Sequence, residues 1–240
     1  RGEQLIRLVG EGSIANSAIA GGEFGTAGDC SLLIPADSDL AEYLAPINDA
    51  IMQCTIDDEY GKINLNALVF ETGNEGEDQV FEPLAEMLRI LFENRGMDIT
   101  PVDAIIDWLD TDDEITDPDG FEFEYYESLE NPYGCKNGAM DSIDELLLIP
   151  GITPEMYFGL PEEGVSALPD LLTVHGHPQG KININTANFE VLEAYFTLAG
   201  HPDPLVAADT VLLRIQEEGP FSSANQLQAA DPIQAVDPDV

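Results

Sequence analysis

The sequence predicts an α+β protein in which short helices predominate and strands are few. Three observations carry this. Apolar residues recur every three or four positions in several segments of the central region, as they do on the buried face of a helix. Period-two alternation is confined to short runs before residue 71 and around residues 180–186. Capping residues, glycines and prolines punctuate the chain where such helices would begin and end.

The elements follow in order. Residues 3–20 place Leu5, Leu8, Val9, Ile14 and Ile19 at roughly helical spacing, and the run Gly21–Cys30 ends that helix. Residues 31–35, 50–56 and 61–70 read as strands, with Asp57–Lys62 as a hairpin between the last two. Residues 78–96 carry Val80, Phe81, Leu84, Met87, Leu88, Leu91 and Phe92 on one face, and Gly96 stands at the helix end. Thr100 and Pro101 are placed as N-cap and first residue of a helix through Val102–Asp110. Asp141 or Ser142 caps a further helix that stops at Pro150-Gly151, and Thr153 caps a short one after it. The stretch Gly61-Lys62-Ile63-Asn64-Leu65-Asn66-Ala67 returns as Gly180-Lys181-Ile182-Asn183-Ile184-Asn185-Thr186-Ala187, each time before a helical segment. The two copies open two analogous helical modules. Domain boundaries are placed at 1–66, 67–179 and 180–240: N-terminal helix and strands, helical domain with an acidic loop, and second helical module.

Composition narrows the function. Lys and Arg number 8 against 47 Asp and Glu, a net charge of −39. Neutralising nucleic-acid phosphates or an anionic bilayer needs the opposite balance. At 44% hydrophobic residues the chain has material for a core, and it contains no apolar run long enough to span a membrane. Cys30, Cys54 and Cys135 form no C-x-x-C pair, which speaks against zinc. In an exported protein Cys30 with Cys54 is the preferred disulfide, with three buried thiols the alternative. His175, His177 and His201 fit no metal motif and read as ordinary surface residues. Nucleophile, phosphate-loop and dinucleotide signatures are absent. Residues 191–200 and 207–227, with Ala199-Gly200-His201-Pro202 as the hairpin, resemble a degraded helix-hairpin-helix, and the acidic surroundings suit protein contacts rather than DNA.

The stretch Asp103–Gly138 holds most of the chemistry. Asp107 and Asp110 share a helix face, and Asp110, Asp112 and Glu114 alternate beyond it. Glu122, Glu124 and the amide of Asn137 are placed to close a shell of oxygens around a hard cation such as calcium. Counted from Asp110, Ile115 and Phe121 stand where an EF-hand requires Gly and Glu, so the site is of another type. Trp108, Tyr125 and Tyr126 cover the core beneath it.

In combination, GKINLNAL, the D-W-L-D-x-D run at 107–112, the YY…PY…KNG run at 125–138, and GKININTA resemble the K-type minor pseudopilins of bacterial type II secretion (the GspK family), over about residues 60–225. The resemblance implies a pilin-like fold: an N-terminal helix packed on a small antiparallel sheet, with a large inserted helical domain of SAM-like or helix-hairpin-helix-like kind. It implies a non-enzymatic subunit that caps the pseudopilus tip with the I-type and J-type minor pseudopilins, with exported cargo as a further contact. It implies one or two Ca2+ ions, with Asp107, Asp110, Asp112, Glu124 and Asn137 as ligands. A periplasmic location follows, with anchoring in the inner membrane through an apolar segment upstream of residues 1–20. Cys135 departs from the family run it sits in, and the strands expected to complete the sheet do not appear before Val240, so either a shortened sheet or further strands are expected. A helix-hairpin-helix binding protein and a calcium-dependent secreted hydrolase are the alternatives.

Overall fold

The computed structural model describes residues 28–29, 55–71, 78–116 and 118–222. The helix expected at 3–20, Cys30 and Cys54, and residues 223–240 lie outside them.

Two compact units divide the chain. The first comprises Arg1–Asp58 and Arg214–Pro220. Its described strands, β1 (Gly28–Asp29) and β2 (Thr55–Ile56), pair antiparallel. In its second segment Arg214 holds Glu218 through Nε at 3.1 Å and donates from Nη1 to the Gly219 carbonyl at 2.6 Å.

The second unit, Glu59–Leu213 with Phe221–Val240, holds the candidate site. Residues 61–70 do not form the single strand expected of them. The side chain of Asn64 accepts the Asn66 amide and starts a 3-10 turn at Leu65–Ala67, which breaks the run in two. Before the turn, β3 (Ile63–Asn64) pairs in parallel with β6 (Leu172–Thr173). After it, β4 (Val69–Glu71) pairs antiparallel with β5 (Asp78–Val80). Asp57–Lys62 is therefore not a hairpin, because the strands on either side of it each pair elsewhere. The expected helix at 78–96 gives up its first turn to β5. Pro83 sets the start of α1 (Glu82–Asn94), as its missing amide hydrogen suits a first turn.

The α1 face carrying Leu84, Leu88, Leu91 and Phe92 is buried. It packs chiefly on α6 (Phe189–Leu198), which contributes Val191, Leu192 and Phe196 to the core. Asn188 caps α6 by accepting the Val191 amide. Next to α1 lies α2 (Pro101–Leu109), which is buried on every side. Thr100 does stand at its N-cap but makes no side-chain cap bond. Of the two expected caps, Ser142 is the one used: it forms a capping box with Glu145, and the turns it opens, Ile143–Leu148, are 3-10 rather than α-helical. Thr153 accepts the Met156 amide and opens α4 (Pro154–Phe158), numbered after α3 (Phe123–Glu127) of the acidic loop. Two further helices are α5 (Leu168–Leu171) and α7 (Pro204–Glu218). No described helix is long and apolar enough to cross a membrane.

Asn66 ties three segments together. Its Nδ2 donates to the Met140 carbonyl at 2.9 Å and the Val174 carbonyl at 3.0 Å, and its Oδ1 accepts the Met140 amide at 2.8 Å. Replacing it orphans backbone groups on both neighbours, each worth on the order of 1 kcal/mol or more. Asn66→Ala is expected to lower the unfolding free energy by about 2 kcal/mol in urea titration, with little change in far-UV circular dichroism.

Candidate metal centre

The site is built where α2 runs out. Asp107 lies on the last turn of α2 and Asp110 is its C-cap residue. Glu122 comes from the loop, as the N-cap residue of α3. These three carboxylates each offer an oxygen within 4.8 Å of the others. All three are buried: Asp107 fully, Asp110 at 7% and Glu122 at 5% exposure. The described residues provide no hydrogen-bond partner for Asp107 Oδ2, Asp110 Oδ1 or either oxygen of Glu122. The amide oxygen of Asn137 and the hydroxyl of Tyr126 share that condition, and Arg95 Nε is the sole such buried side-chain atom elsewhere among them. Buried polar atoms are almost always paired. Their concentration in one loop marks a place shaped for something that accepts oxygen lone pairs.

The surroundings fix the ligands. Asp107 uses Oδ1 to accept the Thr116 amide at 2.9 Å, leaving Oδ2 inward. A side chain at Gly120 would collide with Asp107 Oδ2 and come within 2.7 Å of the Thr116 carbonyl, so only glycine leaves that carboxylate its space. Asn137 holds the left-handed conformation, φ 46°, which asparagine tolerates better than most residues. Its Nδ2 donates to the Asp112 carbonyl at 2.7 Å and to Asp113 Oδ1 at 3.3 Å, so only its oxygen remains. Asp112 Oδ1 accepts the Glu114 amide at 2.8 Å and folds the turn between Asp110 and the rest of the loop. At the rim, Thr111 donates twice to Asp78 on β5, both at 2.7 Å.

The aromatic floor is packed as expected. Trp108 and Tyr126 meet edge to face at 5.3 Å, and Trp108 Nε1 donates to Glu145 at 3.0 Å. Lys136, the basic residue of the same loop, is committed to Asp141 at 2.7 Å and Glu145 at 2.8 Å. Arg89 is held by Asp103 at 2.8 Å. None of the ion pairs among the described residues involves the three carboxylates.

The electrostatics follow. Burial, then repulsion from Asp112, Asp107, Glu122 and Asp78, pushes the Asp110 carboxyl up to about 8. Burial, then Asp107, Asp113 and Asp112, pushes Glu122 up to about 7. Asp107 is raised by burial, against the lowering by the Thr116 donor. A divalent ion reverses this logic, because it favours every charged form at once. The donors are all oxygen, which suits a hard cation with flexible coordination. Cys135 is not a competing ligand: burial pushes its thiol up to about 12, and its sulfur faces the Asp107 carbonyl at 3.5 Å.

Of the five residues assigned from sequence, Asp107 and Asp110 come together, and Asn137 presents a buried, unshared oxygen. Asp112 and Glu124 are exposed and lie outside the cluster. Glu122, considered from sequence only as a closing ligand, supplies the third carboxylate. Its position just before α3 turns it inward, whereas Glu124, two residues on, faces outward to a groove of about 520 Å3. The histidines are used otherwise: His177 Nδ1 accepts the Gln179 amide and His201 Nδ1 the Asp203 amide.

Residues 61–170 match the family described as "Type II secretion system (T2SS), protein K". The type II secretion system protein K of Aeromonas hydrophila is 32% identical over 149 residues, 59% of this chain and 42% of that protein. A chain in the crystal structure of the GspK-GspI-GspJ complex from the enterotoxigenic Escherichia coli type 2 secretion system superimposes with a TM-score of 0.56 at 20% identity, over 76% of this chain and 59% of that one. The chain thus spans under half of the Aeromonas protein and about three fifths of the solved chain. The solved chain shares the mixed fold of helices and small sheets.

Two outcomes are expected of the trio. With chelator, the folded protein keeps protons on Asp110 and Glu122 that the unfolded chain releases near pH 4. Stability should therefore fall as pH rises from about 4 to about 8, with a slope of up to about 1.4 kcal/mol per pH unit per carboxylate. Calcium should flatten that fall, as read by thermal unfolding across pH. Asp110→Asn removes one repelling charge. It should raise the melting temperature in chelator at pH 8 and abolish the further rise that calcium gives the parent protein.

Proposed function

We propose, from residues 61–170 being a domain of the type II secretion system protein K family, that this chain is a minor pseudopilin of a type II secretion system. It acts at the tip of the pseudopilus and assembles with I-type and J-type minor pseudopilins. The family match is the observation that carries this reading. The fold shared with a chain of the GspK-GspI-GspJ complex supports the choice of partners. A subunit of this kind works through protein contacts and not catalysis, in the periplasm, held to the inner membrane by an N-terminal anchor. The finer architecture in this reading is a pilin-like helix and sheet carrying an inserted helical domain of helix-hairpin-helix kind. Exported cargo is a further contact for the exposed end.

The second part of the reading is a bound Ca2+, with Asp107, Asp110, Glu122 and Asn137 as its protein ligands. The orphaned buried oxygens of those residues support it. The ion would neutralise the trio and hold the loop against α2. Asp112 then acts through its turn, and Glu124 on the outer surface.

Assembly is checked by mixing this chain with the soluble parts of the I-type and J-type pseudopilins from the same source and measuring mass by light scattering after size exclusion. A 1:1:1 complex in calcium, weakened at least tenfold in chelator, is expected. Folded components that elute separately in both conditions overturn the reading.

A further inference from the structure

The two echoed stretches perform the same bonding. Asn64 Oδ1 accepts the Asn66 amide at 3.2 Å, and Asn183 Oδ1 accepts the Asn185 amide at 3.1 Å. Asn66 grips both backbone groups of Met140. Asn185 grips both of Phe221, donating to its carbonyl at 3.0 Å and accepting its amide at 2.7 Å. The helices between repeat the pattern. Past the end of α1, Gly96 turns left-handed at φ 65° and Met97 donates back to the Phe92 carbonyl at 2.9 Å. Past the end of α6, Gly200 turns at φ 71° and His201 donates back to the Phe196 carbonyl at 2.9 Å. Pro101 and Pro204 then open the second helix of each set. Beyond the gripped residue the sequences still run in register: Met140-Asp-Ser-Ile-Asp-Glu-Leu against Phe221-Ser-Ser-Ala-Asn-Gln-Leu. The two stretches also touch, with Asn183 donating to the Tyr60 carbonyl at 2.7 Å and Gly61 lying against the Thr186 backbone.

The copies differ at one connection. In the second, Gly219-Pro220 alone joins the end of α7 to Phe221. In the first, residues 110–139 stand between the end of α2 and Met140. The ends of that segment are drawn together at its base, where Gly138 donates to the Trp108 carbonyl at 3.3 Å. Every carboxylate of the trio but Asp107 belongs to it, as do Asn137 and the groove formed by Asp113, Ile115, Phe121, Phe123 and Tyr125. Ile115 and Phe123 are more than half exposed there.

We propose that residues 110–139 are an insertion into the first of two copies of one helical module, and that a divalent cation orders this insertion and its groove without being needed for the fold of either copy. The proposal rests on the cation reading above. The second copy supplies the reason: in sequence, Gly219-Pro220 stands where the first copy has residues 110–139, with no acidic residue in it. The ion reaches the module only through Asp107, so its effect fades along α2. Calcium thereby governs whether the apolar surface of Ile115 and Phe123 is presented as a shaped groove, on a scaffold that stays folded either way.

Hydrogen exchange on the intact chain, in calcium and in chelator, reads the reach of the ion. Amides within 110–139 and the last turn of α2 should slow at least about tenfold in calcium, while those of α1 and α6 change less than about twofold. Protection lost throughout α1 and α6 in chelator overturns the proposal but leaves the cation reading standing. No response anywhere refutes the cation reading and the proposal with it. A second variant, with residues 110–139 replaced by Gly-Pro, should unfold cooperatively at a lower temperature that calcium does not shift. A calcium-dependent melting temperature in that variant contradicts the proposal.

Discussion

Burying three carboxylates against one another is the constraint on which the rest of this region depends. Two unit charges about 4 Å apart repel by roughly 4 kcal/mol at the effective dielectric of a protein near its surface. Asp107, Asp110 and Glu122 accept that repulsion with four of their oxygens unshared. The neighbours serve the arrangement. Gly120 gives Asp107 Oδ2 its space, Thr116 orients the same side chain, and Asn137 takes a left-handed backbone to turn its oxygen inward. The basic residues Arg89 and Lys136 are bound to other acids, so among the described residues no side-chain cation answers the trio. Neutralisation is left to protons or to an ion from solution.

The helix beneath explains why the arrangement is worth holding. α2 is buried all round, Asp103 and Asp107 included. Arg89 answers Asp103 at 2.8 Å. Asp107 is answered only from the loop, whose aromatic residues cover Trp108 in the same fold. Charge and packing are thus coupled: the segment that brings Glu122 inward also seats Tyr126 on the indole. The match to the type II secretion system protein K family covers residues 61–170, and the acidic centre lies within that range.

Much of this was legible in the chain, and its limits are physical. Helix spacing found α1 because one face of it must be buried, and Thr100-Pro101 marked the start of α2, which is buried all round. Ser142, Thr153 and Asn188 act as caps because their side chains outcompete water for a free amide. The run from Gly61 to Phe70 misled because alternation cannot show that Asn64 will fold a turn in its middle, and β6 pairs with β3 from more than a hundred residues away. For the site, residue types pointed to the acidic loop as a candidate for a cation, and helix spacing paired Asp107 with Asp110, which the fold brings together with Glu122. The choice between Glu122 and Glu124 turns on where α3 begins, which has no sequence signal stronger than either glutamate itself. The repeat of G-K-I-N was visible, but that its asparagines grip Met140 and Phe221 required the fold.

The central claim is that the trio is a cation site, and a crystal structure grown in calcium, with the anomalous signal of a heavier lanthanide replacing it, tests that most directly. The account predicts one peak shared by Asp107, Asp110 and Glu122, with the Asn137 amide oxygen turned toward it. Clear density for the three carboxylates with no peak between them, at millimolar ion, would contradict it.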